Sequence, residues 1–152
     1  MIKGIYEAHL PVKDLDKSIE FYYNLELKLA WRSSDTAFFW IVEGESWVGL
    51  WEGKEVKTLY HPSLRHLAFT ISYEDMKSSL GWLKSKGISA VPFGGRTSVE
   101  PFVRPYQGNA SVYFEDPDGN SLELMCYIEI PEHLRNIDKV SIEEWEELYI
   151  GK

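Results

Sequence analysis

The chain has 152 residues, of which 44% are hydrophobic and 26% charged, and a formal charge of −8; this suits one domain or two small repeats that share a core. The acidic balance excludes a general nucleic-acid binder, because phosphate contacts need clustered Lys and Arg side chains. With no apolar run near the roughly 20 residues that span a bilayer, no hydrophobic signal segment and a single cysteine, a cytoplasmic protein without a membrane partner is expected.

The first half of the chain predicts the order β-α-β-β-β. An extended run, GIYEAHLPV, is followed by a helical pattern from about Asp14 to Leu27. In that pattern Leu15, Ile19 and Tyr22 recur at the i, i+4 and i+7 positions of one helix face. Asp14 is the predicted N-cap. Three strand-like runs come next: KLAWRSS, TAFFWIV and SWVGLW.

The second half begins at RHLAFTIS and repeats that order. Its helix is predicted from about Tyr73 to Lys86, with Ser72 and Asp75 as the start of a capping box and Gly87 as the stop. The runs ISAVPF, ASVYFED and SLELMCYI supply three strands. The repeat predicts modules at about 4–53 and 62–130 within one domain, residues 1–130. Residues 93–109 are predicted as a long loop of the kind that forms lids or binding loops.

Residues 131–152 form an acidic tail. From Glu129 to Lys152 there are seven acids and three bases, so this C-terminal stretch carries half of the net charge of the chain. A capping box of Ser141 and Glu144 predicts a short C-terminal helix. One face of this helix is apolar, which predicts packing against the domain or a second subunit.

Strand alternation sorts the polar candidates onto faces of the predicted sheet. His9 shares a face with Glu7, opposite the apolar residues that lie under the helix. His66 stands near the centre of the second half's first strand, as His9 does in the first half. Glu123 faces the same way as Tyr127, while Cys126 goes to the helix side and is predicted to be a small buried hydrophobe.

These faces predict that two imidazoles and one carboxylate meet on one concave surface. The turn Asp116–Gly119 folds Tyr113 back to a position opposite Glu123. Two histidines and one carboxylate hold a divalent transition metal and leave coordination positions open. A single strand histidine is more often a hydrogen-bonded structural residue, so the prediction depends on the coincidence of the three.

The segments VKDLDKSIEFYYNLELKLAW, RHLAFTIS and YFEDPDGNSLEL resemble the vicinal oxygen chelate superfamily. It includes glyoxalase I, extradiol dioxygenases, fosfomycin-resistance thiol transferases and bleomycin-binding proteins. The resemblance covers about 5–128 and implies an α+β fold of paired βαβββ modules, whose mixed sheet curls around a metal cavity in a homodimer. It assigns metal-ligand roles to His9, His66 and Glu123. Tyr113 corresponds to a tyrosine beside the substrate, with a barrel-lining aromatic as the alternative.

Departures from the family pattern separate its members. Glyoxalase I takes a fourth ligand from a position where this chain has apolar residues, and Glu52 is displaced toward the strand end, so a three-ligand site is favoured. The fosfomycin-resistance enzymes match in size and ligand pattern, although Pro11 stands where they favour a hydroxyl or thiol. Arg96 and Arg104 are predicted to bind an anionic substrate, with solvated surface charges as the alternative.

The leading hypothesis is a metal-dependent lyase, transferase or dioxygenase for a small oxygen-bearing substrate, with lyase or thiol-transferase chemistry favoured. A divalent Mn, Fe, Ni, Co or Zn ion would act as a Lewis acid. Tyr113 and Glu7 are the predicted catalytic groups, and Arg96, Arg104 and Tyr127 the predicted substrate-binding groups.

Two other classes stay open at the level of sequence. One is a metal-free protein that sequesters an aromatic or cationic compound, which the tryptophans Trp31, Trp40, Trp47 and Trp51 would suit. The other is a fold that only mediates assembly through its tail helix.

Overall fold

The computed structural model describes residues 4–56, 65–93 and 97–150. Its helices and strands form the mixed α+β architecture that the sequence predicts, with a helix at the C-terminal end. In chain order they are β1 Glu7–Val12, α1 Leu15–Asn24, β2 Lys28–Arg32, β3 Thr36–Val42, β4 Ser46–Glu52, β5 His66–Thr70, α2 Tyr73–Ser85, β6 Ala90–Val91, β7 Phe102–Arg104, β8 Asn109–Glu115, β9 Ser121–Tyr127, β10 Val140–Ser141 and α3 Ile142–Ile150.

The strands form two sheets. The first has the order β1-β4-β3-β2, with β1 parallel to β4 and the other neighbours antiparallel. The second has the order β10-β7-β8-β9-β5, and β6 pairs with β8 beside this path. None of the helices in the described ranges is long and apolar enough to cross a membrane.

The chain divides into two compact units, residues 1–67 with 115–121, and residues 68–114 with 122–152. In the first unit, α1 buries its apolar face against the four-stranded sheet, through side chains that are at most 2% exposed: Leu10, Val12, Leu15, Tyr22 and Phe39. In the second unit a comparable core contains Met76, Leu83, Val112, Phe114 and Leu122. Burial of each such side chain contributes about 1.5–3 kcal/mol.

All three predicted helix starts are confirmed. Asp14 Oδ1 accepts the N–H of the residue three positions on, at 3.1 Å, and Ser72 Oγ accepts the N–H of Asp75 at 3.1 Å. At α3, Ser141 Oγ accepts the Glu144 N–H at 3.1 Å, while Glu144 Oε2 accepts the Ser141 N–H at 2.7 Å. Each cap satisfies N–H groups that have no partner within the helix.

Two predictions in the second half were wrong in detail. The run ISAVPF yields only the two-residue strand β6, which ends just before Pro92; a proline has no N–H to continue the ladder. The predicted loop at 93–109 contains a buried strand, β7, which pairs with β8 on one side and β10 on the other. Pro101 and Pro105 flank that strand and hide its pattern in the sequence.

Candidate metal centre

The parallel ladder between β1 and β4 sets the position of Glu7 and His9. It begins where the Trp47 N–H donates to the Tyr6 carbonyl at 3.0 Å. The register pairs Glu7 with Trp47 and His9 with Gly49. Glu7 is therefore the first paired residue of β1, and His9 follows it by two positions.

The ladder between β5 and β9 begins in the same way. The Ser121 N–H donates to the Arg65 carbonyl at 2.9 Å, and further along the Ile71 N–H donates to the Met125 carbonyl at 2.9 Å. Parallel pairing with these bonds sets His66 opposite Ser121, as Glu7 is set opposite Trp47. The counterpart of His66 in the first half is thus Glu7, and the expectation that the two histidines occupy equivalent positions was wrong.

Both ring nitrogens of His9 have partners within the first unit. Nδ1 accepts the indole N–H of Trp51, and Nε2 lies 3.3 Å from Glu7 Oε1. Because an indole nitrogen can only donate, Nδ1 must be the acceptor and the neutral ring carries its proton on Nε2. In this arrangement His9 donates to Glu7 and presents no lone pair to a metal ion.

The Glu7 carboxylate is held by two donors. Its Oε2 accepts the indole N–H of Trp47 at 2.8 Å, and its Oε1 faces His9 Nε2. The hydrogen bond from Trp47, followed by that from His9, lowers the pKa of Glu7 below its ordinary value. The group is therefore an oriented, ionised carboxylate at neutral pH.

The surroundings of His9 are aromatic. The ring of Phe38 meets His9 edge-on with 5.9 Å between centroids, and lies 5.0 Å from the ring of Trp47. A Cβ atom at Gly49 would come within 2.9 Å of the Phe38 ring and 3.1 Å of His9 Nδ1. The glycine therefore provides the space that the histidine ring occupies.

One ring nitrogen of His66 has a hydrogen-bond partner on strand β9. Its Nδ1 lies 3.1 Å from Ser121 Oγ, which makes Nε2 the nitrogen that would coordinate. A hydrogen bond to the other ring nitrogen is the usual way in which proteins fix a ligating imidazole. Sequence reasoning missed Ser121, because its contact depends on strand register.

Arg65, directly before His66, was also missed. It has a positive φ of 56°, which is uncommon for a residue with a side chain and concentrates at functional positions. Its guanidinium donates to Asn120 Oδ1 at 2.6 Å and to the Asp118 carbonyl at 2.8 Å. These bonds tie the start of β5 to the turn that precedes β9 and so fix the backbone at His66.

Glu123 lies in the second unit and is 2% exposed. Both of its contacts with Arg104 are made through Oε1, at 3.3 and 3.4 Å. Arg104 also donates to Ser111 Oγ and Asn109 Oδ1, each at 3.0 Å, and to the Tyr113 hydroxyl. Burial, and next the hydrogen bond with Glu123, raise the pKa of Tyr113 above its usual range.

The other predicted site residues fall in several places. The buried guanidinium of Arg104 is held by protein groups, and Arg96 lies outside the described residues. Tyr127 is 79% exposed and lines a cavity of about 370 Å³ beside α3. Glu52 is a helix cap, since its Oε2 accepts the Leu15 N–H at 2.7 Å. Cys126 is buried, as predicted.

Within the described part of either unit, no three His, Cys, Asp or Glu side chains gather closely enough to hold a metal ion. The predicted ligand set draws on both units, with His9 and His66 in the first and Glu123 in the second. The three-ligand site therefore stays a prediction.

Comparison with known proteins shows what the chain is similar to. A model of the Glyoxalase/Bleomycin resistance protein/Dioxygenase superfamily matches residues 4–124. The metallothiol transferase FosB of Staphylococcus saprophyticus is 33% identical over 126 residues, which cover 82% of this chain and 77% of that protein. A sewage-outfall integron cassette protein is 27% identical with a TM-score of 0.66, over 82% of this chain and 99% of its own.

A further solved structure is the fosfomycin resistance protein FosX of Listeria monocytogenes in complex with Mn(II) and sulfate. It is 28% identical with a TM-score of 0.59, and the match covers 89% of this chain and 96% of that one. Both its sequence identity and its coverage support a shared architecture that extends over most of the chain.

Proposed function

Because the chain belongs to the Glyoxalase/Bleomycin resistance protein/Dioxygenase superfamily, we propose that it is a divalent-metal-dependent enzyme of thiol-transferase type. The observation that carries this proposal is the 33% identity to a metallothiol transferase over 82% of the chain. The substrate is a small electrophile with oxygen atoms that can bind a metal, for which fosfomycin, an epoxide-bearing phosphonate, is the first candidate. The metal-free sequestering alternative is not favoured by these relatives.

The donor chemistry of His66 and Glu123 supports a metal centre. His66 is oriented through Nδ1 by Ser121, and the buried Glu123 carboxylate is anchored through one oxygen by Arg104. When bound, a divalent cation would polarise a substrate oxygen and stabilise the alkoxide that develops there. The predicted third ligand, His9, fits less well, because both its nitrogens are engaged.

In the proposed reaction a thiolate sulfur forms a bond to an electrophilic epoxide carbon as the carbon–oxygen bond breaks. The proton of the thiol ends on the released oxygen, so the sum is addition of a thiol across the epoxide. The raised pKa of Tyr113 keeps its proton on the phenol, which supports a role in holding Glu123. Catalysis by Tyr113 or Glu7 and anion binding by Arg96 stay predictions, as do the homodimer and the cytoplasmic location.

A direct assay tests this function. Fosfomycin and either L-cysteine or glutathione are incubated with metal-free protein and with protein loaded with Mn(II), Ni(II) or Zn(II), and the phosphonate is followed by 31P NMR. We expect a new thioether-bearing phosphonate only with thiol and metal together. A product without thiol would indicate that water is the nucleophile. If none of the metal-loaded forms consumes fosfomycin, the proposal is contradicted for this substrate.

A further inference from the structure

We propose that the cavity beside α3 binds a small organic cation with alkyl groups on its nitrogen, such as a quaternary ammonium ion. The cavity has a volume of about 370 Å³, near the lower end of the range of about 300–1,000 Å³ in which proteins bind small molecules. Its lining residues all belong to the second unit, so the site is complete within that unit. It shares no residue with the proposed metal centre and is not required by the proposed function.

The first argument is the aromatic lining of the cavity. Four aromatic side chains line it: Tyr73, Tyr127, Trp145 and Tyr149. The rings of Trp145 and Tyr149 lie 5.8 Å apart, with 30° between their planes. Trp145 is buried, whereas Tyr127 and Tyr149 are exposed, so one wall is anchored in the core and two rings are open to solvent. The faces of such rings attract cations, and proteins recognise quaternary ammonium groups with aromatic cages.

The second argument is the charge of the cavity. Among the described residues, the charged groups that line it are two glutamates, Glu129 and Glu146. The Tyr73 hydroxyl donates to Glu146 Oε1 at 3.3 Å. This bond orients the Glu146 carboxylate and leaves the acceptor positions of Oε2 for a ligand. A cleft lined by one sign of charge attracts ligands of the opposite sign, so the cavity selects a cation.

The third argument is a cation of the chain itself that contacts two of the lining residues. Lys77 Nζ lies 5.5 Å from the centre of the Tyr73 ring and 3.7 Å from Glu146 Oε1. This ring and this carboxylate therefore make with an ammonium group the contacts that the ligand would make. The closer partner of Lys77 is Glu74, at 2.9 Å. Because Lys77 compensates Glu74 first, Glu129 and Glu146 keep a net negative charge at the cavity.

The C-terminal end of α3 adds to this negative potential. The helix ends at Ile150, and the last turn that the structure describes has no basic residue. Tyr149, in that turn, lines the cavity. The carbonyl groups at the C-terminal end of a helix carry partial negative charge, which favours a cation nearby. Aromatic rings, carboxylates and the helix end therefore favour the same class of ligand.

Choline and 3,3-dimethyl-1-butanol test the proposal, because the alcohol has the shape of choline with a carbon atom in place of the charged nitrogen. Each is titrated into the isotope-labelled full chain at constant ionic strength, and NMR follows the indole N–H of Trp145 and the backbone amides of α3. We expect saturable shifts with choline, at an affinity at least about 10-fold above that of the alcohol, in keeping with cation–π contacts. Equal affinities would show a merely apolar groove and overturn the proposal, as would the absence of saturable shifts with choline.

Variants of accessible lining residues provide a second test. Tyr127→Leu and Glu146→Gln should each weaken choline binding by about 3- to 30-fold, whereas Tyr127→Phe, which keeps the ring, should bind as the wild type does. Glu147→Gln, at an exposed glutamate of α3 next to Glu146, is the matched control for loss of charge. Lys77→Met should strengthen binding, because it removes the ammonium group that competes for Glu146. Unchanged binding in both Tyr127→Leu and Glu146→Gln, or weaker binding in Lys77→Met, would refute the inference.

Discussion

At the scale of single residues, the second unit contains a buried ion pair between Arg104 and Glu123. The side chains are 7% and 2% exposed, so both charges have left water. Such a pair contributes little net stability, but removal of one partner leaves an uncompensated buried charge. Arg104 therefore serves to hold the Glu123 carboxylate in place.

Replacement of Arg104 tests how much the stability of the fold depends on this ion pair. We expect Arg104→Leu to lower the free energy of unfolding by about 3–5 kcal/mol, because Glu123 stays buried without its counter-charge. The double variant Arg104→Leu/Glu123→Gln should recover much of that loss. Urea unfolding followed by far-UV circular dichroism measures both. A double variant as unstable as the single one would show that Arg104 acts through packing instead.

The sequence predicted correctly on which face of a strand a residue lies, because alternation sets the face. It failed to predict contacts that depend on the register between strands. Alternation placed Cys126 on the helix side of its strand, opposite to Glu123, and Cys126 is buried in the structure. It could not identify Arg104 as the partner of Glu123, because Arg104 lies in a segment with no visible strand pattern. It placed Glu7 and His9 on one face, and their predicted roles, catalytic group and metal ligand, stay predictions.

At the scale of elements, α3 is attached to α2 through side chains. The Tyr73 hydroxyl donates to Glu146 Oε1 at 3.3 Å, and Lys77 Nζ lies 3.7 Å from the same oxygen. Trp145 is 3% exposed, so α3 also has an apolar anchor. The sequence predicted this helix well because its capping box and apolar face are local signals, whereas β6 and β7 depend on partners distant in the chain.

The contact between α2 and α3 predicts a dependence of stability on alkaline pH. Burial, and next the nearby Glu146, raise the pKa of Tyr73 from 10.0 to about 12. Between these values the unfolded chain binds fewer protons at this position than the folded chain, so stability falls as pH rises. Tyr73→Phe should reduce that slope by up to about 1.4 kcal/mol per pH unit.

Urea unfolding at several values between pH 9 and pH 12 measures the slope. Tyr106→Phe, at a tyrosine that is 53% exposed, is the matched control. Equal slopes for the wild type and Tyr73→Phe would show that the Tyr73 hydroxyl does not retain its proton in this range.

At the scale of the whole molecule, the repeat was the most informative signal in the sequence. Two βαβββ patterns predicted the α+β class, and the superfamily that the residues resembled is the one to which the chain belongs. The sequence predicted a metal-dependent enzyme of lyase or thiol-transferase type, and the relatives agree with the thiol-transferase type. The choice of substrate could not be predicted, because it depends on pocket shape, to which residues from distant parts of the chain contribute.

The proposed function requires that the protein bind a divalent metal, for which His66 and Glu123 are the proposed ligands. The most direct test is elemental analysis by mass spectrometry after reconstitution with Mn(II) and removal of excess ion. We expect about one equivalent of metal per chain in the wild type and a large loss in His66→Ala/Glu123→Gln. A wild type without stoichiometric Mn, Fe, Ni, Co or Zn after reconstitution with each would contradict it, as would a double variant that keeps its metal.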